Sequence, residues 1–120
     1  MANVIENGVQ ITAGQKVVLS GELVRKPYFG TKKPDEILVA AFPLRTDEGD
    51  ITITVKTFRY RADLVKRADL GKGDRVKIVG YVHQEKRPHR ELDRTPVTVV
   101  YAAAIHRPNS QNEFVSLGRS

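Results

Sequence analysis

The stretch Leu70-Gly71-Lys72-Gly73-Asp74-Arg75-Val76-Lys77-Ile78-Val79-Gly80-Tyr81-Val82 constrains the fold of this chain more than any other. It reads as the end of a helix, a tight turn and a long amphipathic strand. Gly71 and Gly73 remove the Cβ penalty at the turn, and Asp74 can accept a local backbone hydrogen bond before the chain extends. From Arg75 the period is two: Val76, Ile78 and Val82 lie on one face, and Arg75, Lys77, Val79, Tyr81 and His83 on the other. One face requires a core, while the other presents positive charge and an aromatic. Gly80 falls on the core side, where a missing side chain permits a bulge, a bend or a close backbone approach.

Around this strand the rest of the chain divides by periodicity. Residues 1–15 place Asn7-Gly8 between two short apolar pairs and read as a small hairpin or lead-in. Lys16 to Arg25 is a strand with Val17, Leu19, Gly21 and Leu23 on one face, and its mid-strand glycine predicts strong coiling. KPYFGTKKPDE, residues 26–36, reads as a loop from its two prolines, glycine and charges. Ile37 to Leu44 is a second strand, with Pro43 marking an edge, bulge or strand end. An acidic hairpin turn, residues 45–50, leads into a third strand over residues 51–58, whose Ile51, Ile53, Val55 and Thr57 oppose Thr52, Thr54, Lys56 and Phe58. The spacing then turns helical over residues 59–70, with Ala62, Leu64, Val65 and Ala68 as a narrow apolar stripe. After the opening strand comes a polar arm, residues 83–95, and then a last strand over residues 96–105. On that strand Val97, Val99, Tyr101, Ala103 and Ile105 oppose Thr98, Val100, Ala102 and Ala104. Periodicity is lost beyond it, so residues 108–120 read as a short flexible tail.

With 120 residues there is material for one modest core and no separate catalytic domain. The absence of cysteine removes disulfides, thiol chemistry and cysteine metal sites. No apolar run reaches membrane-spanning length and no secretory leader is visible, which predicts a cytoplasmic protein without membrane contact. Net charge is +6, and its distribution is uneven: residues 1–55 hold six Lys/Arg against seven Asp/Glu, and residues 56–120 hold fourteen against seven. A cationic half of this kind attracts a polyanion. His83, His89 and His106 lack companions at metal-ligand spacing, and Gly71-Lys72-Gly73 lacks the frame of a phosphate-binding loop. No metal, cofactor or enzymatic activity is therefore expected.

The order strand, basic-aromatic loop, strand, hairpin, strand, short helix, strand, basic arm, strand describes an all-β fold, the five-stranded OB barrel with a short helix between strands 3 and 4. Oligonucleotides commonly lie across such a barrel between its first-second and fourth-fifth loops. The segments KVVLSGELV, ITVKTFRYRADLVKRADLGKGDRVKIVGYV and TPVTVVYAAAI, taken in order, resemble the bacterial single-stranded DNA-binding protein family over residues 16–107. The most specific part is Val55 to Val82: a strand ending in Phe, a short helix rich in Ala, Leu and Val, and a Leu-x-Lys-Gly-x-x-Val-x-Val-x-Gly run in its Ile78 variant. The resemblance implies a homo-oligomer, tetramer or dimer, that coats single-stranded DNA in replication, repair or recombination without catalysis. It also implies base stacking by Phe58. The chain departs from the family in having no Trp, with Thr52 and the neighbourhood of Arg87 where tryptophans are usual. It ends in LGRS rather than an acidic tip, so tip-mediated recruitment of partners is not expected.

Tyr28 and Phe29 stand out as large apolar groups in a polar, lysine-rich loop, and Phe58 shares a face with Thr and Lys. These three, with Tyr60 and Tyr81, are the candidate stacking residues; the alternatives are that the loop tucks Tyr28 and Phe29 over the barrel end and that Phe58 packs beneath the following helix. Lys16, Lys32, Lys33, Lys56, Arg59, Lys77, Lys86, Arg87 and Arg90 are the expected phosphate contacts. Arg61, Lys66 and Arg67 read as solvated helix residues. Stacking does not itself separate ribose from deoxyribose, so an RNA-binding module is an alternative. A second alternative is a non-catalytic protein-interaction component of a replication-restart or mobile-element complex, using the Ala-rich last strand and the arm.

Overall fold

The computed structural model describes residues 3–6, 9–12, 14–49, 51–85 and 97–117. Its elements are β1 (Asn3–Glu6), β2 (Val9–Thr12), β3 (Lys16–Leu23), β4 (Tyr28–Lys32), β5 (Ile37–Thr46), β6 (Thr52–Phe58), α1 (Tyr60–Ala68), β7 (Arg75–Glu85), β8 (Val97–Pro108) and β9 (Phe114–Ser116). β1 and β2 form a hairpin of their own, pairing Asn3 with Thr12 through Glu6 with Val9. The larger sheet runs β3-β7-β8-β6-β5 and closes when β5 pairs back onto β3, with Gly21, Glu22 and Leu23 opposite Thr46, Arg45 and Leu44. Within this closed ring β6 and β8 are parallel and the other pairs antiparallel. This is the expected five-stranded OB barrel, with α1 between its third and fourth strands.

Closure depends on two glycines. Gly21 has a neighbour on both sides, Val76 of β7 and Thr46 of β5, and a Cβ there would lie 2.0 Å from the Arg45 carbonyl oxygen. At Gly80 a Cβ would lie 2.4 Å from the Tyr101 carbonyl oxygen, at the point where the β7–β8 register shifts. Both backbones approach more closely than any side chain permits, which is how a small barrel turns its corners.

The interior follows the period-two pattern of β6 and β7. Ile53, Val55 and Thr57 from β6 and Val76, Ile78 and Val82 from β7 meet Phe42, Leu44 and Val100 in one cluster, all at most 4 % exposed. The Thr57 hydroxyl, buried among them, donates to the Ala102 carbonyl at 3.3 Å. Ala62 and Val65 of α1 are buried in the same cluster, with Leu70 behind them. Leu64 and Ala68 pack at its margin. The chain enters α1 through Arg59, whose φ of 56° lies in the region that favours glycine. That turn is held by the Arg59 N–H on the Leu38 carbonyl at 2.8 Å and the Asp63 N–H on the Arg59 carbonyl at 3.1 Å.

Four regions differ from the reading by periodicity. The segment read as a loop over residues 26–36 contains β4, paired with β5 from Tyr28–Ala41 to Lys32–Ile37, so only its tip is a turn. β5 continues through Pro43, because the proline sits where the neighbour changes: Ala41 pairs with Tyr28 of β4 and Leu44 with Leu23 of β3. The arm begins later than expected, since β7 runs on to Glu85, opposite Val97. Part of the segment read as a flexible tail forms β9 against β8, and Leu117 joins the core, its N–H donating to the Ile105 carbonyl at 2.9 Å.

The last strand carries a further correction. Val79 pairs with Ala104 but Gly80 with Ala102, leaving Ala103 as an extra residue. One extra residue flips the side-chain phase. Val100, Ala102 and Ile105 therefore face the core. Tyr101 belongs to the opposite face and does not share one with Ile105.

Candidate nucleic-acid interface

Register places one line of residues across the outside of the barrel. Tyr28 lies opposite Ala41, Ala41 opposite Lys56, Lys56 opposite Tyr101, Tyr101 opposite Tyr81, and Tyr81 opposite Lys16. Directly paired residues share a face, so five strands present two lysines and three tyrosines in a row. Phe58, two residues beyond Lys56, stands beside that row opposite Val39, which pairs in turn with Gly30.

The aromatic groups of this face are in contact. The Phe58 and Tyr101 rings meet edge to face, centroids 4.9 Å apart at 77°. His83 stacks on Tyr101 at 3.9 Å and 18°. Tyr28, 73 % exposed, lies over Gly30, where a Cβ would be 3.1 Å from its ring. Lys32 holds its ammonium 5.9 Å from the Phe58 centroid, within cation–π range. Together Tyr28, Lys32, Phe58, Lys56, Glu85 and Tyr101 line a groove of ≈ 490 Å³.

Three of these lining residues form a polar triad. The Lys56 ammonium donates to Oε1 of Glu85 at 2.5 Å, and the Tyr101 hydroxyl donates to Oε2. Partial burial pushes the Glu85 carboxyl up, but the hydrogen bonds from Lys56 and Tyr101, with the charges of Lys56 and Lys32, outweigh it and hold the group below the usual carboxylate range. Burial, then the bond to Glu85 and its negative charge, push the Tyr101 phenol up to about 12. Glu85 is thus an ionised acceptor, and Tyr101 a protonated donor, across the neutral range.

Of the residues singled out by sequence, Tyr28, Lys32, Lys56, Phe58 and Tyr81 come together on this face, with Lys16 at its end. Lys33 is exposed in the turn joining β4 to β5. Phe29 points the other way and packs against the core. Arg59 occupies the strained turn behind Phe58. Tyr60, 69 % exposed, lines a separate groove with Leu64, Ile105 and Leu117. Lys77 lies toward the opposite end of β7, between Ser20 and His106. Lys86, Arg87 and Arg90 lie outside the described residues. Arg61 and Arg67 do more than face solvent, since Arg61 donates to the Ala103 carbonyl at 2.5 Å and Arg67 pairs with Asp63 at 2.8 Å.

Three members of the site escape a reading by periodicity: Tyr101, Glu85 and His83 as a ring partner. Tyr101 was hidden by the bulge, because an unbroken alternation groups it with Ile105. The usable signal was Gly80, whose capacity for a bulge on the partner strand permits a change of phase in the run Ala102-Ala103-Ala104.

No protein-family model matches the chain, and no curated protein matches it. Solved structures do. The single-stranded DNA binding protein from Thermus aquaticus, in wild-type form, matches at a TM-score of 0.64 with 25% identity over 88% of this chain and 45% of its own. A deletion mutant of the same protein gives the same score and identity over 86% and 43%. The second single-stranded DNA binding protein from Mycobacterium smegmatis matches at 0.64 with 20% identity over 82% of this chain and 91% of its own. The chain thus spans less than half the length of the Thermus proteins. The class defined by the barrel is the OB fold. Within that class the chain has the form of the bacterial single-stranded DNA-binding proteins, as the ordered motifs of residues 16–107 imply.

Proposed function

We propose that the chain binds single-stranded DNA without catalysis, across the outer face of β4, β5, β6, β8, β7 and the start of β3. The observation that carries this reading is the line Tyr28–Lys56–Tyr101–Tyr81–Lys16 with Phe58 beside it: stacking surfaces and cations in one row on a barrel of this class. Every base has a π-face, so such a row tolerates sequence, and each base that stacks contributes about 1–3 kcal/mol. Tyr28, Phe58, Tyr81 and Tyr101 are the proposed stacking residues. Lys16, Lys32, Lys33 and Arg59, with Lys86, Arg87 and Arg90 of the arm, are the proposed phosphate contacts. Lys56 is committed to Glu85 and contributes as part of that pair.

The DNA-binding neighbours support this reading, as does the cationic balance of residues 56–120. Residues 16–107 form the proposed binding domain, and a cytoplasmic role in replication, repair or recombination is the setting we assign it. Self-association is proposed through the outward edge of β3. Val18 is 56 % exposed there, and β5 pairs only with Gly21 to Leu23 among the described residues. Light scattering reads the resulting mass.

Titration of a labelled oligo-dT by fluorescence anisotropy tests the function. Binding that weakens steeply as salt rises supports it, because phosphate contacts release counterions. Absence of salt-dependent binding overturns it, and tighter binding of a matched RNA strand transfers the reading to RNA.

A further inference from the structure

We infer that the Lys56–Glu85–Tyr101 triad is a base-reading site that selects guanine at one position of the bound strand. The inference rests on the proposed function, because it assigns a specificity to part of the same face. Its basis is the order of hydrogen-bonding groups in the groove's lining. Lys56 sits on Oε1 of Glu85 and Tyr101 on Oε2, and all three residues line the groove; read from Lys56 along the carboxylate, the groups run donor, acceptor, acceptor. Neither partner exhausts Glu85: an ionised carboxylate offers about four lone-pair sites, of which two are filled here. The side chains of Lys56 and Glu85 remain 28% and 23% exposed, and both line the groove beside Phe58 and Tyr28. A base entering there meets aromatic rings and the polar triad together.

An unpaired base presents its Watson–Crick edge to such a site. Guanine shows O6, N1–H and N2–H2 in order: acceptor, donor, donor. This is the complement of Lys56 Nζ, Oε1 and Oε2. Thymine shows acceptor, donor, acceptor, which sets its O2 against a carboxylate oxygen. Cytosine shows donor, acceptor, acceptor, the same order as the protein, and when turned over still opposes N3 to Oε1. Adenine brings its amino group against the ammonium, or N1 against a carboxylate oxygen. Guanine alone satisfies all three positions. The carboxylate also repels phosphate, so the triad is suited to a base rather than to the backbone.

The test uses three short labelled strands of equal length: all-thymine, the same strand with one central guanine, and the same strand with inosine in its place. Inosine keeps O6 and N1–H and lacks only the 2-amino group. The expected order is guanine tightest, with inosine about 3- to 10-fold weaker, the range of one lost hydrogen bond to protein. Thymine is weaker still. In Glu85→Gln one acceptor becomes an amide donor, so the guanine–inosine difference disappears whatever the change in all-thymine binding, and a difference that survives in this variant overturns the inference. Equal binding of the guanine and inosine strands by the unmodified protein overturns the inference and leaves the proposed function standing. Salt-independent or absent binding of all three strands overturns the proposed function and the inference with it.

Discussion

On the inner face of β6, Ile53, Val55 and Thr57 are at most 4 % exposed, while on the outer face of the same strand Thr54, Lys56 and Phe58 remain half-buried. Both faces hold apolar groups, and hydrophobicity alone does not separate them. What separates them is whether the neighbours finish the contact. Val55 is enclosed by the barrel and α1, whereas Phe58 meets Tyr101 edge-on and Lys32 from above and still borders an open groove. An enclosed side chain contributes to folding. A partly enclosed aromatic on a polar face leaves ring surface open to the groove, which is the basis for proposing Phe58 as a stacking residue.

Substitutions break this contrast in opposite ways. Phe42→Ala removes the largest fully buried side chain among the described residues and is expected to cost about 3–5 kcal/mol in denaturant unfolding, with oligo-dT affinity unchanged for the fraction that folds. Gly21→Ala attacks the barrel seam: its Cβ lands 2.0 Å from a backbone oxygen, which no rotamer relieves, so β3 and β5 must separate. The expected loss is about 3 kcal/mol. On the outside, Phe58→Ala should lower affinity by about 1–3 kcal/mol in anisotropy titration while leaving the unfolding midpoint nearly unchanged. A drop in stability as large as that of Phe42→Ala would show Phe58 to be core after all.

How much of this was legible in the sequence varied with the regularity of each strand's neighbours. β6 and β7 read correctly from alternation, because each is paired along its length and one face is sealed. Gly21 and Gly80 were legible as places of bending, since a glycine in a strand has few other reasons to be there. Tyr101 was not, because the residue that changes its phase, Ala103, has no distinguishing chemistry. β4 was hidden by prolines and charges that belong to its flanks, and β9 was too short to show a period. Phe29 and Tyr28 are adjacent in sequence and alternate across β4, so one stacks on the core and the other is free. Composition suggested the pair, and only the strand geometry divided it.

Arg59 tests the contrast where strain and function meet. Its φ of 56° is costly for a side chain with a Cβ and easy for glycine. Arg59→Gly is therefore expected to raise stability by about 1 kcal/mol. The same change removes a proposed phosphate contact, so binding should weaken and the salt dependence become shallower by about one contact. Higher stability with unaltered salt dependence would remove Arg59 from the interface.

The smallest expected effect lies in the triad, where acid separates folding from binding. Glu85 has its folded-state pKa below the ordinary value of 4.5, so its ionised form contributes to stability. That contribution is fully present above the ordinary value and is lost as pH falls through the lowered one. For a partly solvated pair it amounts to less than about 1 kcal/mol. Glu85→Gln should therefore be slightly less stable than the unmodified protein near neutrality, and the gap should close in acid. At the alkaline end the sign reverses in its cause: the stabilisation from protonated Tyr101 is present below the ordinary phenol value of 10.0 and is lost as pH rises through about 12. Ultraviolet titration should show a late-titrating phenol that Tyr101→Phe removes. A Glu85→Gln gap that persists unchanged in acid would mean that the substitution acts by packing and that the charge of Glu85 contributes nothing to the fold.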